Sequence, residues 1–148
     1  MLDPTHVAPV LWANGAGTTR ELASASDSTG RILWRISLAD LARDAPFSTF
    51  PGVDRLFTAL GRVRLTIDGN PVDLDPGEQI RFPGEAAVSV SLLQPTQALN
   101  VMTRRDACSA DVILRSARET ATSNTVETVD LGEQAADVVV TTSETAEV

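Results

Sequence analysis

Lysine and tyrosine are absent from this chain of 148 residues, and cysteine and histidine each occur once. With Cys108 alone no internal disulfide can form and no multi-cysteine zinc site can be assembled, which fits a reducing compartment. With His6 alone, a metal centre built from several imidazoles lacks its ligands, so no metal and no other cofactor is expected. His6 reads as a solvated N-terminal residue, and nothing around it supplies a nucleophile elbow or the rest of a Ser-His-Asp triad. Cys108 stands beside Ser109 without a histidine or a basic helix end to activate it, and reads as an inert thiol. Long apolar runs are missing too, and Met1 to His6 has neither the basic nor the apolar part of a signal peptide; a cytoplasmic protein with no membrane partner is expected. The twelve basic residues are all arginine and scattered, and a formal charge of −8 repels a polyanion, so no nucleic-acid partner is expected.

What the chain does contain is apolar alternation punctuated by glycine and proline. A hydrophobic content of 43% suits one globular domain over residues 1–148, with no linker dividing it. Ile32, Trp34, Ile36 and Leu38 alternate with Leu33, Arg35, Ser37 and Ala39, the period of a strand. Val63, Leu65 and Ile67 alternate with polar residues and run into Asp68-Gly69-Asn70, a tight-turn signal that predicts a hairpin through Pro71 to Leu74. Asp75-Pro76-Gly77 and Pro83-Gly84-Glu85 are further turns, bracketing a strand over Glu78 to Phe82 and preceding one at Val88 to Leu92. Strands are also expected at Ala98 to Arg104, Val112 to Ala117, Val126 to Leu131 and Asp137 to Thr142. Leu38 to Arg43 is read as a short helical turn. The sum is an all-β barrel or sandwich.

Trp12-Ala13-Asn14-Gly15-Ala16-Gly17-Thr18-Thr19-Arg20-Glu21 packs two glycines, an amide, two hydroxyls and a guanidinium into ten positions. Such a segment is either a glycine turn leading into a strand or a ligand contact, the arginine fork suiting a carboxylate. It is no phosphate loop, because the terminal Gly-Lys-Ser/Thr is absent. The turn, strand and turn from Leu74 to Gly84 resemble the cupin barrel, with Ala86, Ala87 and Val88 where metal-binding cupins supply a histidine. Together with Trp34 to Ala39, Pro46 to Arg55, Phe82-Pro83-Gly84 and Asn100 to Arg105, the Trp12 segment resembles the HutD/Ves family of bacterial histidine utilisation and stress response. Two departures stand out: Ala16 replaces a customary third glycine, and the chain stops at Glu144-Thr145-Ala146-Glu147-Val148, where a shortened C-terminal half is expected.

The resemblance implies a cupin-like double-stranded β-helix, an RmlC-like jelly roll, that binds a small anionic metabolite such as urocanate or formylated glutamate, with a regulatory role in histidine utilisation. Arg20, Arg35 and Arg55, each inside a matched segment, can hold an anion, with Asn14, Thr18, Thr19 and Ser37 completing the hydrogen bonding and Asp54 beside them. The bland alternative puts Arg35 on the outer face and pairs Arg55 with Asp54 or Glu21. Phe47, Phe50, Phe57 and Phe82 are core by default, but Phe47 and Phe50 flank Ser48-Thr49 in a proline-bounded loop of the kind that lines a rim. Two other functions stay open: a metal-independent enzyme acting on a small carboxylate with Glu21, Asp54 or Glu85 as general base, and a partner-binding module with a vestigial pocket. An apolar barrel edge left by the short C-terminus would be covered in a homodimer.

Overall fold

Asp68 and Gly69 both adopt positive φ, 48° and 84°, the backbone that a two-residue hairpin matched to strand twist requires. They join two of the thirteen strands in the computed structural model, which describes residues 1–142. After a single 3-10 turn at Pro4–His6 come β1 (Val10–Leu11), β2 (Gly17–Ser26), β3 (Ile32–Leu41), β4 (Ala45–Pro46), β5 (Val53–Ala59), β6 (Val63–Ile67) and β7 (Asn70–Leu74). They are followed by β8 (Gln79–Pro83), β9 (Val88–Leu92), β10 (Thr96–Arg104), β11 (Cys108–Ser116), β12 (Glu127–Asp130) and β13 (Gln134–Thr142). Glu144 to Val148, where the sequence suggested a shortened ending, lie outside the described residues. Among the described residues no helix is long and apolar enough to cross a membrane.

The strands form three sheets, ordered β1-β2-β3-β10-β5-β8, β4-β9-β6-β7 and β11-β13-β12. All named pairings are antiparallel. The six-stranded sheet is the middle layer. One face packs Ala39, Leu41, Phe57, Ala59 and Ala98 against Val63, Leu65, Val88 and Val90 of the four-stranded sheet. The other packs Ile36, Leu38, Leu56, Leu99 and Val101 against Val112, Val129, Ala136 and Val138 of the three-stranded sheet. The three layers form a jelly-roll-like stack of antiparallel sheets that remain separate and do not close into a hydrogen-bonded barrel.

This layering corrects one expectation. Leu38 to Arg43 is not a helical turn: β3 continues to Leu41, paired on one side with β2 and on the other with β10. Leu38 and Leu41 are three apart, which mimics a helical stripe, but they belong to different cores on opposite faces of one strand. The segment before Arg55, read as a rim loop, ends at Gly52; Val53 already begins β5.

Gly84 fixes how that loop meets the sheet. Its N–H donates to Val53 O (2.7 Å) and its carbonyl accepts from Phe50 N–H (2.8 Å). A Cβ there would lie 2.1 Å from Phe50 O. Gly84→Ala is expected to destabilise by about 1–3 kcal/mol, as overpacking against backbone does, and to displace Phe50; a denaturant midpoint equal to the parent's would contradict this.

Candidate functional site

Along the central strands, the face that meets the four-stranded sheet changes character partway. On β3, Leu41 and Ala39 give way to Ser37 and Arg35; on β10, Ala98 gives way to Asn100 and Met102; on β5, Ala59 and Phe57 give way to Arg55. Where the covering sheet ends, a cleft of about 330 Å³ opens, walled by Trp12, Pro46, Phe47, Ser48 and Phe50. Its floor is two rows of cross-strand neighbours. Arg35, Met102 and Arg55 make one row, and Glu21, Ser37 and Asn100 the next, with the buried Phe57 beyond Asn100.

The Trp12 to Glu21 segment forms one wall. A Cβ on Gly17 would lie 2.5 Å from Asp40 O and 3.3 Å from the Trp12 ring, so only glycine lets the indole lie down on the strand. Trp12 Nε1 donates to Thr19 Oγ1 (2.8 Å), and the ring meets Phe47 edge-on at 6.1 Å. Asn14 Oδ1 accepts from Ala16 N–H (2.9 Å), closing the turn. A register shift between Glu21 and Ala23 leaves Thr19 and Glu21 on the cleft side while Leu22 and Ala23 both pack toward the opposite core.

Arg55 is the central group. It is 6% exposed, and among the described residues no carboxylate pairs with it. Its Nη1 donates to Ser48 O (3.2 Å) and its Nη2 to Asn100 Oδ1 (3.4 Å), while Nε–H is buried without a partner. The guanidinium carbon sits 5.3, 5.4 and 5.2 Å from the ring centres of Phe47, Phe50 and Phe82. These rings supply cation–π attraction but no counter-charge. Burial alone pushes the pKa down to about 10, which leaves the group cationic at neutral pH. Arg35, half-buried in the same row, has Nε 2.9 Å from Glu21 Oε1 but too far off line for a hydrogen bond.

The cleft therefore brings together Asn14, Thr19, Arg35, Ser37, Phe47, Phe50 and Arg55 from the residues singled out in the sequence. Phe82 lies beneath Arg55 in the core. Thr18 and Arg20 point elsewhere: both donate to the Asp40 carboxylate, and Arg20 Nε also donates to Val7 O (3.1 Å). Asp54 lies outside the cleft and accepts from Arg105 Nε (2.9 Å). The bland alternative, Arg35 on the outer face and Arg55 paired with Asp54 or Glu21, is not what the structure holds: Arg35 lies in the cleft beside Glu21, and Asp54 pairs with Arg105. Asn100 and Met102 complete the floor; the signal for Asn100 was an amide in the middle of an apolar strand.

Of the carboxylates considered as bases, only Glu21 lines the cleft. Glu85 accepts from Arg105 Nη2 (2.6 Å) and from Gly52 N–H (2.8 Å), which hold its carboxyl down at about 2. A group ionised so far below neutrality is a poor general base. Its depressed pKa means that its contribution to stability is full above the ordinary value near 4.5 and is lost as pH falls toward 2. Glu85→Gln should therefore show a smaller drop in melting temperature than the parent over that window, and an identical drop would contradict the pairing. Among the described residues the cleft lining offers one carboxylate and no imidazole or thiolate, a donor set that does not fit a cupin metal centre.

The family model described as HutD matches residues 5–147. Protein Ves from Citrobacter koseri is 38% identical over 107 residues, covering 69% of this chain and 56% of that protein, so the chain spans little more than half the length of this curated relative. HutD from Pseudomonas fluorescens SBW25 superposes with a TM-score of 0.76 at 20% identity, covering 95% of this chain and 97% of that one. An RmlC-like cupin from Shewanella frigidimarina superposes with a TM-score of 0.54 at 9% identity, covering 69% of this chain and 87% of that one. At these identities the two solved structures speak to fold alone.

Proposed function

Because this chain belongs to the HutD family, we propose that its cleft captures a small metabolite bearing a carboxylate, and that occupancy serves a regulatory role in histidine utilisation. The observation that carries this reading is Arg55, a buried cation without a carboxylate partner among the described residues, at the floor of an open cleft. Burying an unpaired charge costs several kcal/mol, a cost that a bound anion would offset. The carboxylate would take Nε–H of Arg55, with the Ser37 hydroxyl and the Asn100 amide beside it. Trp12, Phe47 and Phe50 would close over a flat conjugated ring, which suits urocanate; formylated glutamate is the other histidine-breakdown acid in scope.

Titration with these acids at pH 7, followed by calorimetry and thermal melting, tests the reading. Saturable binding with a raised melting temperature and no change in the ligand is expected. Affinity should weaken as pH falls through the ligand carboxylate's pKa, near 4 for an ordinary carboxylic acid, because the neutral acid loses its charge-assisted partner. Conversion of the ligand would replace this account with an enzymatic one, and affinity flat across that pH range would remove the carboxylate from Arg55.

A further inference from the structure

The Arg105 guanidinium belongs to the turn between β10 and β11 and gathers the stem of the loop that carries Phe50. Its Nε donates to Asp54 Oδ1 (2.9 Å), its Nη1 to Glu85 Oε2 (3.1 Å), and its Nη2 to Glu85 Oε1 (2.6 Å) and Val53 O (2.9 Å). Its backbone N–H donates to Gly52 O (2.9 Å). Glu85 closes the ring, since the oxygen that meets Nη1 also accepts from Gly52 N–H (2.8 Å). Both polar groups of Gly52, whose φ is 83°, are therefore held by two turns distant in sequence.

Gly52 stands two residues from Phe50. Phe47 to Gly52 join β4 to β5 as a loop, so Phe50 keeps its place through its own N–H on Gly84 O and through Gly52 in the clasp. The Phe50 ring walls the cleft and faces the Arg55 guanidinium at 5.4 Å. Arg105 itself is not one of the residues that line the cleft.

We propose that Arg105 is a positioning residue for the cleft: through Glu85 and Gly52 it holds Phe50 beside Arg55 before any ligand arrives. A wall already in order need not be ordered by the ligand, so the clasp adds to affinity without touching the bound molecule. The planar fork is what the task requires, because it reaches acceptors on three residues at once; a lysine ammonium, a point charge, cannot. The consequence for affinity rests on the reading of the cleft as a carboxylate site, whereas the consequence for the loop does not.

Amide hydrogen exchange followed by NMR and calorimetric titration with urocanate test this on the full chain, on Arg105→Gln, on Phe50→Ala and on the double variant. In Arg105→Gln the Phe50 and Gly52 amides should exchange at least about tenfold faster, while Phe47 N–H, which donates to Val88 O, keeps its parent rate. Urocanate affinity should fall about three- to tenfold, the scale of one side chain left to be ordered on binding. Arg105→Lys should restore neither. In the Phe50→Ala background Arg105→Gln should change affinity by less than about twofold, because the group it positions is gone. Loop amides at their parent rates, or affinity unchanged in Arg105→Gln, overturn the proposal. So does faster exchange shared equally by Phe47, which would make Arg105 a general support of the fold. An affinity loss that persists in the Phe50→Ala background also overturns it, since Arg105 would then act through its charge. A parent that binds no urocanate removes the reading of the cleft, and the amide rates still decide the clasp. If Arg105→Gln does not fold, Glu85→Ala, which frees Gly52 N–H, carries the same comparisons.

Discussion

Asp137→Ala is expected to lose about 3–5 kcal/mol of folding stability, the range found when one partner of a buried charge pair is removed. Asp137 is fully buried on the central strand of the three-stranded sheet. Its carboxylate accepts from Arg115 Nε (2.8 Å) and Nη2 (3.1 Å), from Thr122 N–H (2.7 Å) and from Thr128 Oγ1 (2.8 Å). Truncation would take the carboxylate from the Arg115 guanidinium, 11% exposed, leaving it the Ser116 and Glu119 carbonyls, and would strand the Thr122 N–H. A domain of this size loses about 2–5 °C of melting temperature per kcal/mol, so a drop of roughly 10 °C or more is expected. These bonds, Arg115 foremost, hold the Asp137 pKa well below the ordinary carboxylate range. The stabilisation is therefore full above about pH 4 and fades as pH falls below it. A variant within about 1 kcal/mol of the parent at pH 7 would show that the network is not a stabilising one.

The second large effect has opposite signs for stability and binding. Arg55→Met replaces a buried cation, unpaired among the described residues, with an apolar side chain of similar length among Phe47, Phe50 and Phe82. Replacing buried charge by well-packed apolar groups is commonly neutral or stabilising by about 1–4 kcal/mol. The empty protein should therefore melt at the same temperature or higher. Carboxylate binding should weaken at least about a hundredfold, because the charge-assisted donors that anchor it are gone. A lowered melting temperature with unchanged affinity would make Arg55 structural, held for its contacts with the rings and Ser48.

The sequence carried the positions of strands and turns more clearly than it carried the cleft. Asp68-Gly69 and the alternation of Val63 to Ile67 specify a hairpin locally, and the hairpin is there. Leu38 to Arg43 could not be read this way, because both faces of β3 are covered and apolar residues then stop alternating. Arg20, Arg35 and Arg55 were candidates alike because each lies inside a matched segment, and on a strand covered on both faces nothing local shows which of them faces the cleft. Arg20 and Thr19 are adjacent, and strand geometry sends one to Asp40 and the other into the cleft. Which carboxylate pairs with which arginine depends on distant strands: Asp54 is covered by Arg105, and Arg55, its neighbour in sequence, faces the other way, with no counter-ion among the described residues. Met102 gave no local signal because an apolar residue in a strand reads as core.

The most direct test is the resonance of the Arg55 Nε–H itself. Buried and unpartnered, it should appear as a single slowly exchanging signal in an arginine-selective nitrogen–proton spectrum, assigned by its loss in Arg55→Lys. On titration with urocanate at pH 7 it should move downfield and saturate together with the calorimetric isotherm, as expected for a donor that gains a carboxylate acceptor. Saturable urocanate binding that leaves this resonance in place would contradict the assignment of the carboxylate to Arg55.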